Sequence, residues 1–138
     1  MKVIGILTKP KLPHMKPTLA KLVAWLRARG KDVVLESKIT TTASRQKSRL
    51  ADKADMVLVL GGDGTMLGAA RLVEEHGVPI LGINMGGLGF LTETGGEHLY
   101  ETLERVFAKD FYIEERLMLK ARLDRGRTRL AQATVLND

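Results

Sequence analysis

The sequence predicts an α/β fold: an open, mostly parallel sheet covered by helices, followed by the start of a β-rich unit. Three observations support this. Short aliphatic runs alternate with stretches of helical periodicity, as in parallel strands joined by helices. Two of those runs, ending at Leu60 and Ile83, lead straight into glycine-rich turns, and sheets of this kind bind ligands at the carboxyl ends of their strands. From Phe111 onward the pattern changes to two β-compatible runs about a glycine turn.

Taken in order, Val3 to Leu7 is the first strand, and the prolines at 10, 13 and 17 make a loop before a helix beginning near Thr18. Leu19, Leu22, Val23 and Leu26 share one helical face, and Gly30 is placed to end the helix in a left-handed cap. Val33 to Leu35 is a second strand. Ser37 to Arg49, rich in Thr, Ser and basic residues, reads as a surface loop with room for a short helix. Met56 to Leu60 is an uninterrupted buried strand, a helix runs from about Thr65 to Glu75, Gly77 closes it, and Ile80 to Ile83 is another buried strand. After "NMGGLGF", Leu99, Leu103, Val106 and Phe107 mark a further helix, ended by Lys109 and Asp110. Two strands then flank Asp124 to Gly126, a hairpin turn with glycine where positive φ is needed. The expected division is an α/β unit over 1–110, Rossmann-like or flavodoxin-like, and over 111–138 the first strands of an incomplete β-rich unit. One hairpin is marginal by itself, so the chain reads as a fragment.

Composition narrows the function classes. The net charge of +6 comes from 22 basic residues spread along the chain, and only 4% of residues are aromatic. Stacking platforms for nucleic acid are therefore scarce, and a small anionic ligand is equally well served by a mild positive field. The dense basic patches Arg45–Arg49 and Arg125–Arg129 read as solvated loops. No apolar stretch approaches the roughly 18 residues of a membrane span, and there is no cysteine for a disulfide or a thiolate metal site. A cytoplasmic protein with neither a membrane nor a nucleic-acid partner is the expectation. His14, His76 and His98 stand singly without metal-ligand spacing and read as surface residues, and Trp25 reads as a core residue.

The chemistry is concentrated in "GGDGT", residues 61 to 65. Gly61, Gly62 and Gly64 remove β-carbons at a strand-to-helix turn, where phosphate oxygens can approach backbone N–H groups at the helix N-terminus. It is not a Walker loop, because the chain's Gly30-Lys31 pair is followed by Asp32. Gly62, Gly64 and Gly68 fit a relative of the dinucleotide fingerprint, but Ile83 and Asn84 stand where the ribose-binding acid belongs. Asp63 discriminates best. A carboxylate beside a phosphate is tolerated when Mg²⁺ lies between them, or when the carboxylate accepts the proton of an attacking hydroxyl, and both situations belong to phosphoryl transfer. The alternative role is a cap on the following helix.

"GGDGT" at 61 to 65, "GINMGGLGFLTE" at 82 to 93, "EERLML" at 114 to 119 and "LND" at 136 to 138, in this order and at these intervals, resemble the bacterial NAD kinases. The resemblance covers nearly the whole chain and implies phosphoryl transfer from ATP, or from polyphosphate in some members, to the 2′-hydroxyl of the adenosine ribose of NAD, giving NADP, with Mg²⁺ or another divalent metal required. By matching position it implies Asp63 as proton acceptor with Gly64 beside it at the NAD ribose. Gly61, Gly62 and Thr65 would border the phosphate donor, Leu67 and Phe90 would line the adenine pocket, and Asn137 with Asp138 would bind NAD. No residue is assigned as a metal ligand.

Members of the family continue through a β-rich domain and assemble into homo-oligomers, so the fragment alone is expected to have little or no kinase activity. Met85 departs from the basic residue that many members carry at this place in the loop. Lipid and sphingoid-base kinases also carry a GGDGT turn, but Met66-Leu67-Gly68-Ala69-Ala70 lacks the Asn-Glu pair that generally follows it there. A nucleotide-binding module without catalysis is the other alternative.

Overall fold

The structure is a computed structural model that describes residues 1–8, 15–36, 49–87, 89–92 and 94–136. The aliphatic runs form strands β1 (Val3–Thr8), β2 (Asp32–Glu36), β3 (Met56–Gly61) and β4 (Ile80–Asn84), and a two-residue strand β5 (Thr94–Gly95) completes the sheet. All five pair parallel in the order β2-β1-β3-β4-β5. This is the flavodoxin-like order of doubly wound sheets. Central β3 registers Ile4 against Met56 on one side and Val57 against Ile80 on the other.

Alternation along β3 divides the core. Met56, Leu58 and Leu60 point into one cluster with Leu22 and Leu26 of helix α1 (Met15–Ala28) and Leu99, Leu103 and Val106 of helix α4 (Leu99–Phe107). Val57 and Val59 point the other way, onto helices α2 (Arg49–Lys53) and α3 (Asp63–Val73) through Leu50, Ala51, Ala54, Ala69 and Val73. A strand covered on both faces has no solvent side, which is why it reads as a continuous apolar run. Trp25 packs half-buried against the first cluster, with ring centroids 5.1 Å from Tyr100 and 6.1 Å from Phe107 and the Arg29 guanidinium 3.7 Å above it.

Several boundaries differ from the sequence reading. Helix α1 starts at Met15 instead of Thr18, with Pro17 in its first turn, where an N–H has no intrahelical partner to lose. It ends at Gly30 (φ +70°), and the N–H of Lys31 bonds the carbonyl of Leu26 at 3.1 Å as the expected left-handed cap. Helix α3 begins two residues early, at Asp63, and stops at Val73. Lys109 ends α4 at φ +64°, and Gly77 follows α3 at φ +62°. Helix α2 and strand β5 have no separate signal in the sequence, because five and two residues are too short to carry a period. The proposed loop Ser37–Arg49, Pro10, Pro13 and His14 lie outside the described residues, apart from the backbone of Arg49 as the first residue of α2.

The hairpin is as expected: β6 (Met118–Arg125) pairs antiparallel with β7 (Thr128–Leu136), with Gly126 at φ +60° in the turn. It leans on α3, where Arg71 Nε donates to the Thr134 carbonyl at 2.7 Å and Lys120 lies 3.6 Å from Glu74. Arg125, Arg127 and Arg129 are exposed, as read, and so are His76 and His98.

Two predictions follow from this packing. Leu50 is fully buried between α2 and β1, so Leu50→Ala lowers unfolding free energy by about 2–5 kcal/mol in urea titrations. Asp55 accepts the N–H groups of Val3, at 2.9 Å, and Lys2, and these bonds hold its carboxyl below the usual range. A depressed folded-state pKa contributes stability that is complete above the ordinary aspartate value, about 3.9, and lost as pH falls through the folded value. The Asp55→Asn variant therefore shows a weaker loss of urea stability than wild type when pH is lowered below about 4.

Candidate active site

Strands β3 and β4 are neighbours in register, Gly61 opposite Asn84, so the turns that follow them emerge side by side. Asp63 is the first residue of α3, and the N-cap is Gly62, extended at φ −109° and without a side-chain cap. Asp63 is therefore not the helix cap that a lone aspartate at this position suggests. Its carboxylate reaches across to the second turn instead: Oδ2 accepts the N–H of Phe90 at 2.9 Å, and Oδ1 accepts the N–H of Leu91 at 3.0 Å. Thr92 Oγ1 lies 3.4 Å from Oδ1, a long contact.

The N–H groups of Phe90 and then Leu91 hold the Asp63 carboxyl below the usual aspartate range, and Thr92 adds to this while partial desolvation opposes it. The group is ionised at neutral pH. A carboxylate offers about four lone-pair sites. Oδ1 accepts the Leu91 N–H and lies near the Thr92 hydroxyl, Oδ2 accepts the Phe90 N–H, and the Thr92 N–H also faces the carboxylate. Among the described residues, Asp63 makes no ion pair.

The glycines of the two turns differ in function. A Cβ at Gly61 would stand 2.5 Å from Thr65 Oγ1, and Thr65 is buried, so these two residues fill each other's space. Around Gly62 and Gly64 nothing among the described residues lies within 4 Å of where a Cβ would be, so an open approach for a ligand is there, at the start of α3, where the first N–H groups of a helix are left unpaired. Gly89 is required by close approach: a Cβ there would collide with the Asp63 carboxylate and lie 2.8 Å from Thr92 Oγ1.

Of the other residues singled out, Leu67 is half-buried on α3, and Phe90 is 94% exposed, its ring uncommitted to the core. Asn137 and Asp138 lie outside the described residues. Met85 packs half-buried against the first core cluster, so its position faces inward. Sequence reasoning missed Asn84 and Thr92 as site residues. Both are buried, and Asn84 Nδ2 donates to Thr92 Oγ1 at 3.0 Å. The available signal was a polar residue closing each apolar or glycine-rich stretch. A cavity of about 480 Å³ lies on the α4 flank of the second turn, with Asn84 and Thr92 in its wall and Arg105 and Glu101 opposite.

An α/β sheet that presents a glycine turn, an open helix N-terminus and a braced, ionised aspartate at the carboxyl ends of its strands defines a class of phosphate-handling domains. The chain belongs to the ATP-NAD kinase family: residues 4–111 match the ATP-NAD kinase N-terminal domain. It is 42% identical over 145 residues to an NAD kinase of Citrifermentans bemidjiense, covering 100% of this chain and 50% of that protein. It is 40% identical over 141 residues to an NAD kinase of Thiobacillus denitrificans, covering 98% and 49%. The chain thus spans about half the length of the curated relatives it matches. A crystal structure of yeast NADH kinase complexed with NADH superposes with a TM-score of 0.76 at 18% identity, over 99% of this chain and 46% of that one, a likeness of fold.

Because Gly89 is packed against the carboxylate, Gly89→Ala is expected to destabilise the domain by about 1–3 kcal/mol. It should also return the Asp63 carboxyl toward its ordinary value in a carboxylate NMR titration. An unmoved Asp63 titration in that variant contradicts the packing described.

Proposed function

We propose that this chain is the catalytic-turn half of an NAD kinase, transferring the terminal phosphoryl group of ATP, or of polyphosphate, to the 2′-hydroxyl of the adenosine ribose of NAD. The observation that carries the proposal is the braced, ionised Asp63 carboxylate beside the open backbone of Gly62 and Gly64. Family membership supports the same reaction. The lipid-kinase alternative is not favoured, since the relatives are named NAD kinases.

In this reading the 2′-oxygen forms a bond to the terminal phosphorus, the bond from that phosphorus to its bridging oxygen breaks, and ADP, or the polyphosphate shortened by one unit, leaves. The hydroxyl proton passes to Asp63 and then to water. A carboxylate of lowered pKa is a weak base, but in a loose transition state the proton leaves late and the larger effect is to orient the attacking oxygen. Gly62, Gly64 and the start of α3 receive the phosphates, with Gly61 and Thr65 shaping the turn beneath them. Phe90 offers its exposed ring and Leu67 its side chain to an adenine, and Asn137 and Asp138 belong to the NAD side.

No group of three or more His, Asp or Glu able to hold a metal exists among the described residues. A divalent ion bound to the donor's phosphates would supply charge neutralisation there, with the open backbone at Gly62 and Gly64 leaving room for both. The division at residue 110, a β-rich partner domain beyond it, homo-oligomeric assembly and a cytoplasmic location complete the proposal.

The test is NADP formation by the full-length protein that carries this chain, supplied with NAD, ATP and Mg²⁺. Asp63→Asn is expected to lower kcat by about 10²–10⁴-fold, with both nucleotide KM values within a few fold. Turnover near wild type in that variant would remove Asp63 from the reaction, and nucleotide binding without any turnover in the wild type would favour a non-catalytic module.

A further inference from the structure

Asn84 closes β4 and is buried, and its amide is oriented by a backbone bond: Oδ1 accepts the N–H of Gly86 at 2.9 Å, which turns Nδ2 toward Thr92. Thr92 is fully buried. A hydroxyl that accepts from an amide keeps its one proton for another acceptor, and Asp63 Oδ1 stands 3.4 Å away. The direction of the chain from Asn84 through Thr92 to Asp63 is therefore set by the Gly86 N–H. The methyl group of Thr92 is seated as deliberately as its hydroxyl: its Cγ2 occupies the space over Gly82 of β4, 2.9 Å from where a Cβ would be, with Met66 Sδ of α3 at 3.3 Å from the same point. A β-branched side chain wedged this way has one rotamer available.

We propose that Thr92, oriented by Asn84, is a positioning residue that aims its hydroxyl at Oδ1 of Asp63 and so leaves Oδ2 as the oxygen that receives the attacking hydroxyl. Oδ1 takes the Leu91 N–H at 3.0 Å and has the Thr92 hydroxyl at 3.4 Å, whereas Oδ2 takes the Phe90 N–H at 2.9 Å and has no side-chain hydroxyl on it among the described residues. Thr92 touches no substrate in this role and acts through the carboxylate. The groups that face the carboxylate from the second turn are the N–H groups of Phe90, Leu91 and Thr92 and the Thr92 hydroxyl, with no charged side chain paired to it among the described residues. The inference rests on the reading of Asp63 as proton acceptor in phosphoryl transfer.

The test uses the full-length protein that carries this chain, with Thr92→Val to remove the hydroxyl and keep the shape and Thr92→Ser to keep the hydroxyl and remove the methyl. Two readouts are taken: steady-state kinetics across pH, and the titration of Asp63 by carboxylate NMR without substrates. Thr92→Val is expected to raise the Asp63 titration toward the ordinary aspartate value, because a hydrogen bond to the charged form is lost. The acid limb of kcat moves up with it, and kcat falls about tenfold at neutral pH while the KM values stay within about twofold. Thr92→Ser recovers most of both effects. If Thr92→Val does not fold, Thr92→Ala removes the same hydroxyl and, compared with Thr92→Ser, makes the same test.

An Asp63 titration and a kcat in Thr92→Val equal to wild type overturn the proposal, as does a loss confined to KM. Should Asp63→Asn keep full turnover, the phosphotransfer role falls and with it the role given to Thr92. A shifted Asp63 titration would then still establish the hydrogen-bond chain itself.

Discussion

The bond between a side chain at the end of one strand and the backbone beyond the next holds the functional end of this sheet together. Ladder hydrogen bonds stop at Gly61 and Asn84, and past that point each turn must find partners for its own N–H groups or leave them to water. The Asp63 carboxylate supplies two of them with an ionised acceptor, 2.9 and 3.0 Å from Phe90 and Leu91, and hydrogen bonds to a charged group are roughly twice as strong as neutral ones. Dependence runs both ways. The turn needs the anion for its backbone, and the anion needs the turn, which keeps it charged and aimed while helix α3 starts beneath it.

Other features of the site follow from this contact. The chain carries glycine at 89 because the carboxylate occupies the place of a side chain, and glycine at 82 because the Thr92 methyl does. Gly61 yields its space to Thr65, so that α3 can start hard against β3. In the GGDGT turn, only at Gly62 and Gly64 would a Cβ meet nothing among the described residues. The glycine-rich turns thus hold two kinds of glycine: packing glycines that make room for neighbouring side chains, and open glycines that, in the proposed function, leave room for an incoming anion.

How much of this was legible depended on whether the signal was local. The strands β1, β3 and β4 could be read because burial on both faces demands long aliphatic runs, and α4 because Leu99, Leu103 and Val106 repeat with helical spacing. The start of α3 was misread by two residues because Asp63 and Gly64 look like turn residues, and their helical state is supported by contacts 27 and 28 residues away. Strand β5 was invisible for a similar reason: Thr94 and Gly95 are strand residues only because Ile83 and Asn84 lie beside them. Asp63 itself stood out, since its charge contradicts the glycines around it, but its partners are backbone N–H groups, which every residue but proline owns and no sequence advertises. Thr92 was hidden within a matched motif for want of any period.

The bracing also resolves the difficulty, in the proposed reaction, of an acid among glycines that receive phosphates. Left in water beside a donor's phosphates, a carboxylate would be pushed toward its protonated form by the like charge. Two backbone N–H groups and a hydroxyl favour the charged form instead, so the approach of a second anion has to overcome their combined hold before Asp63 takes up a proton. The same bonds make the carboxylate a poorer base than a free one, and that loss is tolerable only where proton transfer lags behind bond breaking at phosphorus. A site that asked its base to ionise the nucleophile early would need the opposite environment, with burial raising the carboxyl toward neutrality. For the proposed phosphoryl transfer, the geometry around Asp63 therefore argues for orientation of the attacking oxygen as its main contribution, and a late proton transfer as its second.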